Sequence, residues 1–198
     1  GDWSSDVCSS DLLTFDVRTP RGTLHIASPL VGRPNVYNIL AAVATATALG
    51  RSASDIERGI AALAGVPGRF QVVPGTPDQA TVVVDYAHTD DALRNLLETA
   101  RPLTTGRLVT VFGCGGDRDR TKRPLMGAVA GRLSDLIIIT SDNPRSEAPE
   151  RIIAEIVAGT LTVSGGRVEI EPDRGVAIEQ AIDLAQPGDL DRKSTRLN

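Results

Sequence analysis

Lysine, cysteine, histidine and aromatic residues are all scarce in this 198-residue chain. The 21 basic residues include only two lysines and are outnumbered by 25 acidic residues, and no segment concentrates positive charge, which disfavours a nucleic-acid surface. Aromatic residues make up 3% of the chain, too few for a platform that stacks single-stranded bases. Two cysteines and two histidines are too few for a disulfide framework or a zinc site.

Long apolar runs are also missing from the sequence. No stretch reaches the roughly 18 apolar residues of a membrane span, and the first residues lack the basic-then-apolar order of a signal peptide. We therefore expect a cytoplasmic protein that does not insert into membranes. With 41% hydrophobic residues, the chain can bury the cores of one or two domains.

The two ends differ in composition from the middle. Residues 1–12 (GDWSSDVCSSDL) are rich in serine and aspartate without periodicity, and residues 192–198 (RKSTRLN) continue no pattern. Both strings resemble translated sequencing-adapter read-through, and the alternative is a pair of ordinary frayed termini. We interpret both ends as non-native segments that contribute nothing to the fold.

The first part of the chain predicts a hairpin followed by two helices. Alternating apolar residues at 13–17 and 22–27 are typical of two paired strands. Apolar residues at helical spacing follow over 35–49, and Gly50 suits a left-handed C-cap. The order Ser54-Asp55-Ile56-Glu57 predicts a capping box that opens the second helix.

Beyond residue 67 the sequence alternates strand and helix four times. Apolar and β-branched runs predict parallel strands at 81–85, 108–112, 136–140 and 168–171. Each run is followed by apolar residues at helical spacing. The alternation predicts an α/β protein with a Rossmann-like parallel-sheet domain over 68–191, preceded by the end of another α/β domain over 13–67.

Unusual polar residues follow these strands, at the edge where ligands lie in an open parallel sheet. The loops concerned are 85–88, 113–120, 141–145 and 172–174. Their mixture of carboxylates and arginines suits an anionic or zwitterionic ligand, and Asp and Gly also make turns in such loops generally. The glycines at 113, 115 and 116 could let backbone N–H groups approach an anion, but their spacing matches neither a dinucleotide fingerprint nor a Walker A loop.

Three further side chains have alternative interpretations. Cys114 is either a nucleophile or a small apolar filler, and the filler is favoured because no histidine has an evident reason to lie beside it. His88 is either a general base or nucleotide contact, or a hydrogen-bonded loop histidine. His25, in a predicted strand, is interpreted as structural.

Five segments resemble the Mur ligases in order and rough spacing, and they are most similar to the branch of that family that adds meso-diaminopimelate. The segments are 32–38 (GRPNVYN), 66–70 (VPGRF), 85–89 (DYAHT), 112–119 (FGCGGDRD) and 142–145 (DNPR). The resemblance spans about residues 13 to 190.

This resemblance implies an ATP- and Mg²⁺-dependent ligase of peptidoglycan precursor synthesis. Such an enzyme activates UDP-N-acetylmuramoyl-L-alanyl-D-glutamate as an acyl phosphate, which the amine of meso-diaminopimelate attacks. Residues 13–67 would be the C-terminal part of the central ATP-binding domain, and 68–191 an incomplete C-terminal domain. Catalytic and metal-binding residues would lie upstream of residue 1, so the chain alone is predicted to be inactive. We expect a monomer.

The resemblance also implies which residues bind the ligands. ATP would contact Asn35, Asn38, Arg69, Asp85 and His88. The asparagines would lie at the adenine, the carboxylate at the ribose and the arginine at a phosphate. The pocket for meso-diaminopimelate would be formed by Arg118, Asp142, Asn143, Pro144 and Arg145. Within it, the last arginine would grip a carboxylate of the ligand.

Two other functions are compatible with the sequence. One is a Rossmann-like module that binds a nucleotide or an amino acid without catalysis. The other is a ligase similar to folylpolyglutamate synthase, which is disfavoured because residues 142–145 follow the pattern of the diaminopimelate-adding branch.

Overall fold

The chain forms two compact units in a computed structural model that describes residues 13–73, 80–163 and 165–194. One unit ends at Val66 and the other begins at Pro67, one residue before the boundary proposed from sequence. The segment 1–12, interpreted above as non-native, lies outside the described residues. No helix in the described part is long and apolar enough to cross a membrane.

The first unit is an antiparallel hairpin packed against two helices. Its elements are β1 (Leu13–Thr19), β2 (Gly22–Ser28), α1 (Arg33–Ala48) and α2 (Ala53–Ala61). Ile26 of the hairpin is buried against Val43 and Ile56 of the helices. His25 lies on the exposed face, where its Nδ1 is 2.7 Å from a carboxylate oxygen of Asp16 on the other strand. The predicted hairpin and helices are confirmed.

The helix ends of this unit show one confirmed prediction and one wrong one. Gly50 has φ 79° at the end of α1, the left-handed conformation expected of it. Helix α2 begins after Ser52, whose hydroxyl accepts an N–H of the first turn at 3.2 Å, so the predicted capping box at Ser54 is wrong. Glu57 does not reach back to the helix start, because it accepts the backbone N–H of His25 at 2.7 Å.

The second unit is a six-stranded sheet with helices on both faces, which confirms the predicted α/β fold. In spatial order its strands are β3 (Gln71–Val73), β4 (Thr81–Asp85), β8 (Leu190–Ser194), β5 (Leu108–Phe112), β6 (Leu136–Ile139) and β7 (Arg167–Ile170). Its helices are α3 (Asp90–Ala100), α4 (Lys122–Leu133), α5 (Pro149–Thr160) and α6 (Arg174–Leu184). All neighbouring strands are parallel except for the antiparallel pair of β3 and β4.

Strands β5 and β6 are buried on both faces, as their continuous apolar sequences predict. On one face, Phe112 belongs to a core that Met126 of α4 and Ile156 of α5 complete. On the other face, Ile138 packs with Ala177 of α6. The central strands are therefore held in a fixed position from both sides, and so are the loops that follow them.

Strand β8 lies between β4 and β5 and was not predicted from sequence. Residues 192–194 of this strand pair in register with β4, and 192 and 193 also with β5. The prediction that 192–198 contribute nothing to the fold is therefore wrong for 192–194, whereas 195–198 lie outside the described residues. The pairing uses backbone N–H and C=O groups, which any inserted strand can supply, so LDRKS needs no apolar alternation to occupy this position.

Helices α4 and α5 approach closely enough for their backbones to touch. A Cβ atom on Gly159 would collide with the carbonyl oxygen of Pro124, and one on Gly127 with that of Ile156. No side chain fits at either glycine. This close packing brings the first turn of α4 against α5, beside the carboxyl ends of the sheet strands.

Candidate functional site

A cavity of about 360 Å³ lies at the carboxyl ends of β4, β5 and β6, within the second unit. Its walls come from the loops after these three strands and from the start of α4. Parallel strands end at the same edge of a sheet, so these loops converge although they are distant in sequence. Four of the residues assigned from sequence line the cavity: His88, Arg118, Asp142 and Arg145.

The cavity walls carry charges of both signs. Arg118, Lys122 and Arg145 contribute cations, and Asp119 and Asp142 contribute carboxylates. Carboxylate groups of a ligand can pair with the guanidinium groups, and ammonium groups can pair with the carboxylates. The arrangement therefore suits a zwitterionic ligand, as the sequence of these loops predicts.

Arg145 links the loop after β6 to the loop after β5. Its guanidinium donates a hydrogen bond to the carbonyl oxygen of Gly116. This contact needs one of the five N–H donors of the side chain. The backbone of Arg145 has φ 50°, an uncommon value for a residue other than glycine, and such values concentrate at functional sites.

The other residues of segment 142–145 differ in their positions. Asp142 lines the cavity, with a carboxylate oxygen 3.9 Å from the guanidinium of Arg174 behind it. Asn143 and Pro144 are not among the lining residues, and they support the segment through their backbone carbonyls. That of Asn143 accepts from Gly116 at 2.8 Å, and that of Pro144 accepts from a later N–H of the loop at 3.0 Å.

The glycine-rich loop after β5 packs against the loop after β6. A Cβ atom on Gly116 would collide with the carbonyl of Pro144, and one on Gly113 with the carbonyl of Thr140. The N–H of Gly116 is already donated to the protein. These two glycines are therefore explained by the close approach of two loops, and for Gly116 this replaces the idea that its N–H binds an anion.

Asp85 fixes the turn at the end of β4. One carboxylate oxygen accepts the N–H of Phe70 at 2.7 Å, and the other accepts the N–H of Ala87 at 2.8 Å. A carboxylate offers about four lone-pair positions, so these two bonds leave acceptor capacity for hydroxyl groups of a ligand. The contact with Phe70 also anchors the segment that carries Arg69.

Tyr86 brings two of the predicted nucleotide-binding residues together. The guanidinium carbon of Arg69 lies 5.4 Å from the centre of the Tyr86 ring, and the ring centre of His88 lies 5.1 Å from it. His88 Nδ1 is 3.1 Å from the carbonyl oxygen of Tyr86, so His88 is a hydrogen-bonded loop histidine that also lines the cavity. The two interpretations of this residue are compatible.

Asn35 and Asn38 lie in the first unit, in α1. The side chain of Asn35 is buried, donates to the carbonyl of Val31 at 2.8 Å and accepts from the amide of Asn38 at 3.1 Å. These bonds fix the start of the helix. The roles of both asparagines at an adenine ring stay predictions.

Arg123 is a buried cavity residue that the sequence analysis missed. It is 1% exposed, and its two terminal nitrogens donate to the two carboxylate oxygens of Glu147 at 2.7 and 2.9 Å. It also donates to Glu155 at 2.8 Å. The hydrogen bonds from Arg123 lower the pKa of Glu147 to about 2. The available signal was position, because Arg123 occupies the apolar stripe of α4 three residues before the buried Met126.

Cys114 is a packing residue of the core. Its side chain is buried, with the sulfur 3.6 Å from that of Met126. Burial raises the pKa of the Cys114 thiol to about 12, so the thiolate is scarce at neutral pH. The interpretation as an apolar filler is confirmed. In the part of the chain that the structure describes, no group of three or more His, Cys, Asp or Glu side chains is placed to hold a metal ion.

A parallel sheet whose strand-end loops enclose a cavity of mixed charge defines a ligand-binding α/β domain of the Rossmann-like class. Residues 68–190 match the family described as Mur ligase, glutamate ligase domain. This match covers more than half of the sequence. The chain belongs to the Mur ligase family.

Curated relatives share about half of their aligned residues with this chain. The UDP-N-acetylmuramoyl-L-alanyl-D-glutamate--2,6-diaminopimelate ligase of Synechococcus elongatus is 50% identical over 192 residues, which cover 94% of the chain and 38% of the relative. The enzyme of that name from Gloeobacter violaceus is 53% identical over 171 residues, covering 86% and 35%. The chain therefore spans little more than a third of the length of these relatives.

Two solved structures are also similar to this chain. A UDP-N-acetylmuramoyl-L-alanyl-D-glutamate--2,6-diaminopimelate ligase matches 92% of this chain and 38% of its own length, with a TM-score of 0.61 and 40% identity. FolC of E. coli in complex with ADP matches 95% of this chain and 42% of its own length, with a TM-score of 0.70 and 25% identity.

Proposed function

We propose that this chain is the part of an ATP-dependent ligase that recognises the incoming diamino acid, meso-diaminopimelate. The observation that carries the proposal is the convergence of Arg118, Asp142 and Arg145 on one cavity. Relatives of about 50% identity are named for addition of 2,6-diaminopimelate, which supports the same ligand. The second substrate would be UDP-N-acetylmuramoyl-L-alanyl-D-glutamate.

The cavity residues provide a way to distinguish diaminopimelate from lysine. The two molecules differ by one carboxylate at the far end of diaminopimelate, so a selective pocket must bind that group. Arg145 can donate two parallel hydrogen bonds to a carboxylate, and a bound lysine would leave the guanidinium without this partner. Asp142 would hold an ammonium group of either ligand, so it contributes affinity but not selectivity.

ATP fits the residues around Asp85, and we propose this edge of the second unit as part of its binding site. The acceptor capacity left on Asp85 suits ribose hydroxyls, and the guanidinium of Arg69 suits phosphate oxygens. A solved relative, FolC, holds ADP, which supports a nucleotide in this family. Bound ATP would supply the phosphoryl group that activates a substrate carboxylate. Mg²⁺ would accompany it, without assigned ligands among the described residues.

Within this reaction the described residues bind and orient the amine. The pocket would hold the amino acid end of meso-diaminopimelate by its charges, which lowers the entropic cost of bringing the nucleophilic amine to the activated carboxyl group. The neutral amine would form the new amide bond and lose one proton, while the carbon–oxygen bond to the phosphoryl group breaks and inorganic phosphate leaves. Among the described residues, Arg69 alone is assigned to phosphate and none is assigned to the metal, so we expect the chain to bind the amino acid without ligase turnover.

Chemical-shift mapping tests the proposed binding site. Meso-diaminopimelate is titrated into the ¹⁵N-labelled 198-residue chain, and the backbone amides that shift are identified. We expect the shifts to concentrate at residues 113–119 and 142–147. Saturable shifts confined to other parts of the chain, or none at millimolar ligand, would contradict the proposal.

A further inference from the structure

The ion pair between Arg123 and Glu147 connects the two loops that carry the proposed ligand-binding arginines. Glu147 follows Arg145 by two residues in the loop after β6, and one of its oxygens also accepts the N–H of Asp117 at 2.6 Å. Arg123 donates in addition to the carbonyl of Gly115 at 3.3 Å. The pair is therefore bonded to the loop after β5 as well as to the loop after β6.

A second set of hydrogen bonds runs between the same loops. The carboxylate of Asp117 accepts the backbone N–H of Ser146 at 3.2 Å and its hydroxyl at 2.8 Å. Asp117 and Arg145 have φ values of 51° and 50°, which non-glycine residues rarely adopt. Such conformations persist only where surrounding contacts impose them. Here those contacts are made directly beside Arg118 and at Arg145 itself.

The burial of this pair argues for a role beyond packing. Arg123 is 1% exposed and the side chain of Glu147 is 24% exposed, so the guanidinium has lost nearly all of its contact with water and the carboxylate has lost part of it. Buried ion pairs can often be replaced by apolar residues without loss of stability, so stability alone is a weak reason for one. A bidentate pair does fix the direction of both side chains, which an apolar contact does not.

We propose that Arg123 and Glu147 are positioning residues that set the separation and direction of Arg118 and Arg145, and thereby the preference of the cavity for diaminopimelate over lysine. The inference rests on the proposed function. Arg123 and Glu147 act through the two loops that they join, because the guanidinium of Arg123 pairs with Glu147 and Glu155, and the carboxylate of Glu147 is held by Arg123 and the N–H of Asp117.

Glu155 provides a matched control for Glu147. It also accepts a hydrogen bond from Arg123, at 2.8 Å, but it belongs to α5 and its other partner is Arg120. Substituting Glu155 therefore weakens the support of Arg123 without releasing the loop that carries Arg145. Glu147→Gln and Glu155→Gln each remove one carboxylate charge that pairs with Arg123. Only Glu147→Gln also weakens a link between the two loops.

The test measures the dissociation constants of meso-diaminopimelate and L-lysine by calorimetry for the full 198-residue chain and its variants. Selectivity is expressed as the dissociation constant of L-lysine divided by that of meso-diaminopimelate. For Glu147→Gln and Arg123→Lys we expect this ratio to fall at least 10-fold relative to the wild-type chain. Lysine keeps the charge of Arg123 but cannot form the bidentate pair. Glu155→Gln should leave the ratio within twofold. The double variant Arg123→Lys, Glu147→Gln should lose no more selectivity than the more affected single variant, because the two residues act as one unit.

The outcomes separate the inference from the function on which it rests. Melting temperatures report the stability of each variant, and a purely structural pair predicts lower melting temperatures with an unchanged ratio. That result, with wild-type selectivity intact, would overturn this inference and leave the proposed function standing. A wild-type chain that binds neither amino acid, or binds both equally, would overturn the proposed function and the inference with it.

Discussion

Both carboxylate oxygens of Glu147 accept hydrogen bonds from the buried Arg123, at 2.7 and 2.9 Å. The two residues are 24 positions apart in sequence, since Arg123 precedes β6 and Glu147 follows it. Their pairing depends on the close approach of α4 and α5 and on the path of the loop after β6. It is one of the contacts that hold the cavity walls together.

This pair predicts an acid-sensitive contribution to stability. Hydrogen bonds from Arg123 lower the pKa of Glu147 from 4.5 to about 2 in the folded chain. A carboxylate whose pKa is lowered by folding stabilises the fold above its unfolded pKa, and this stabilisation is lost as the pH falls towards the folded pKa. We therefore expect the stability difference between wild type and Glu147→Gln to be largest near pH 7 and to shrink between pH 4.5 and pH 2. Urea unfolding midpoints measure it, and a difference independent of pH would contradict the assignment.

The central position of β8 predicts that the end of the chain stabilises the second unit. Deleting residues 192–198 removes backbone pairing of 192–194 with β4 and β5. At about 1 kcal/mol per hydrogen bond, the loss amounts to several kcal/mol. We expect the melting temperature to fall by roughly 5 °C or more. Deleting only 195–198 is the control, with an expected change of less than about 2 °C. Equal melting temperatures for the two deletions would show that residues 192–194 contribute nothing to the stability of the sheet.

Cys114 should resist alkylation in the folded chain. Burial raises its pKa to about 12, and only the thiolate reacts with iodoacetamide. At pH 8 we expect the alkylation rate of Cys114 to be roughly a thousandfold below that of a free thiol, because so little of the thiol is present as thiolate. The measurement uses a Cys8→Ser background and mass spectrometry, with the urea-unfolded chain as the reactive control. Rapid labelling of the native chain would contradict the buried, apolar environment.

Arg145→Ala should remove most of the selectivity of the cavity. Arg145 is exposed in the unliganded chain, and a bound ligand would cover its guanidinium. Loss of one partner of a charge pair desolvated in this way costs about 2 kcal/mol or more, which corresponds to roughly 30-fold in affinity. We expect meso-diaminopimelate to bind at least that much more weakly, while the affinity for L-lysine changes less than about threefold. Arg151→Ala, on an exposed position of α5, is a control that should leave both affinities unchanged. Equal losses for the two ligands in Arg145→Ala would exclude a specific carboxylate contact.

Much of the second unit could be predicted because its strands have strong local signals. The runs 81–85 and 108–112 are apolar and β-branched, and the structure places strands at those residues. Strand β8 could not be found in this way, because its position depends on the backbone of two distant neighbours and not on its own side chains. The three-residue antiparallel strand β3 was missed because so short a run carries little periodicity.

The candidate site was predictable to the extent that topology and resemblance locate it. The strand-end rule brings residues 85–88, 113–120 and 141–145 to one edge, and Arg118, Asp142 and Arg145 line the cavity found there. The same rule also selects 172–174, but these residues do not line the cavity, and Arg174 instead lies 3.9 Å from the carboxylate of Asp142. Arg123 and Glu147 were missed because sequence spacing does not show which helix face meets which loop.

Binding of meso-diaminopimelate by the 198-residue chain tests the central claim most directly. Calorimetric titrations with meso-diaminopimelate and with L-lysine, at equal pH and ionic strength, give the two dissociation constants. We predict one saturable site for meso-diaminopimelate and an affinity for L-lysine at least 30-fold lower, since the guanidinium of Arg145 would lack a carboxylate partner. Equal affinities, or no binding of meso-diaminopimelate at millimolar concentration, would contradict the claim that this cavity recognises the diamino acid.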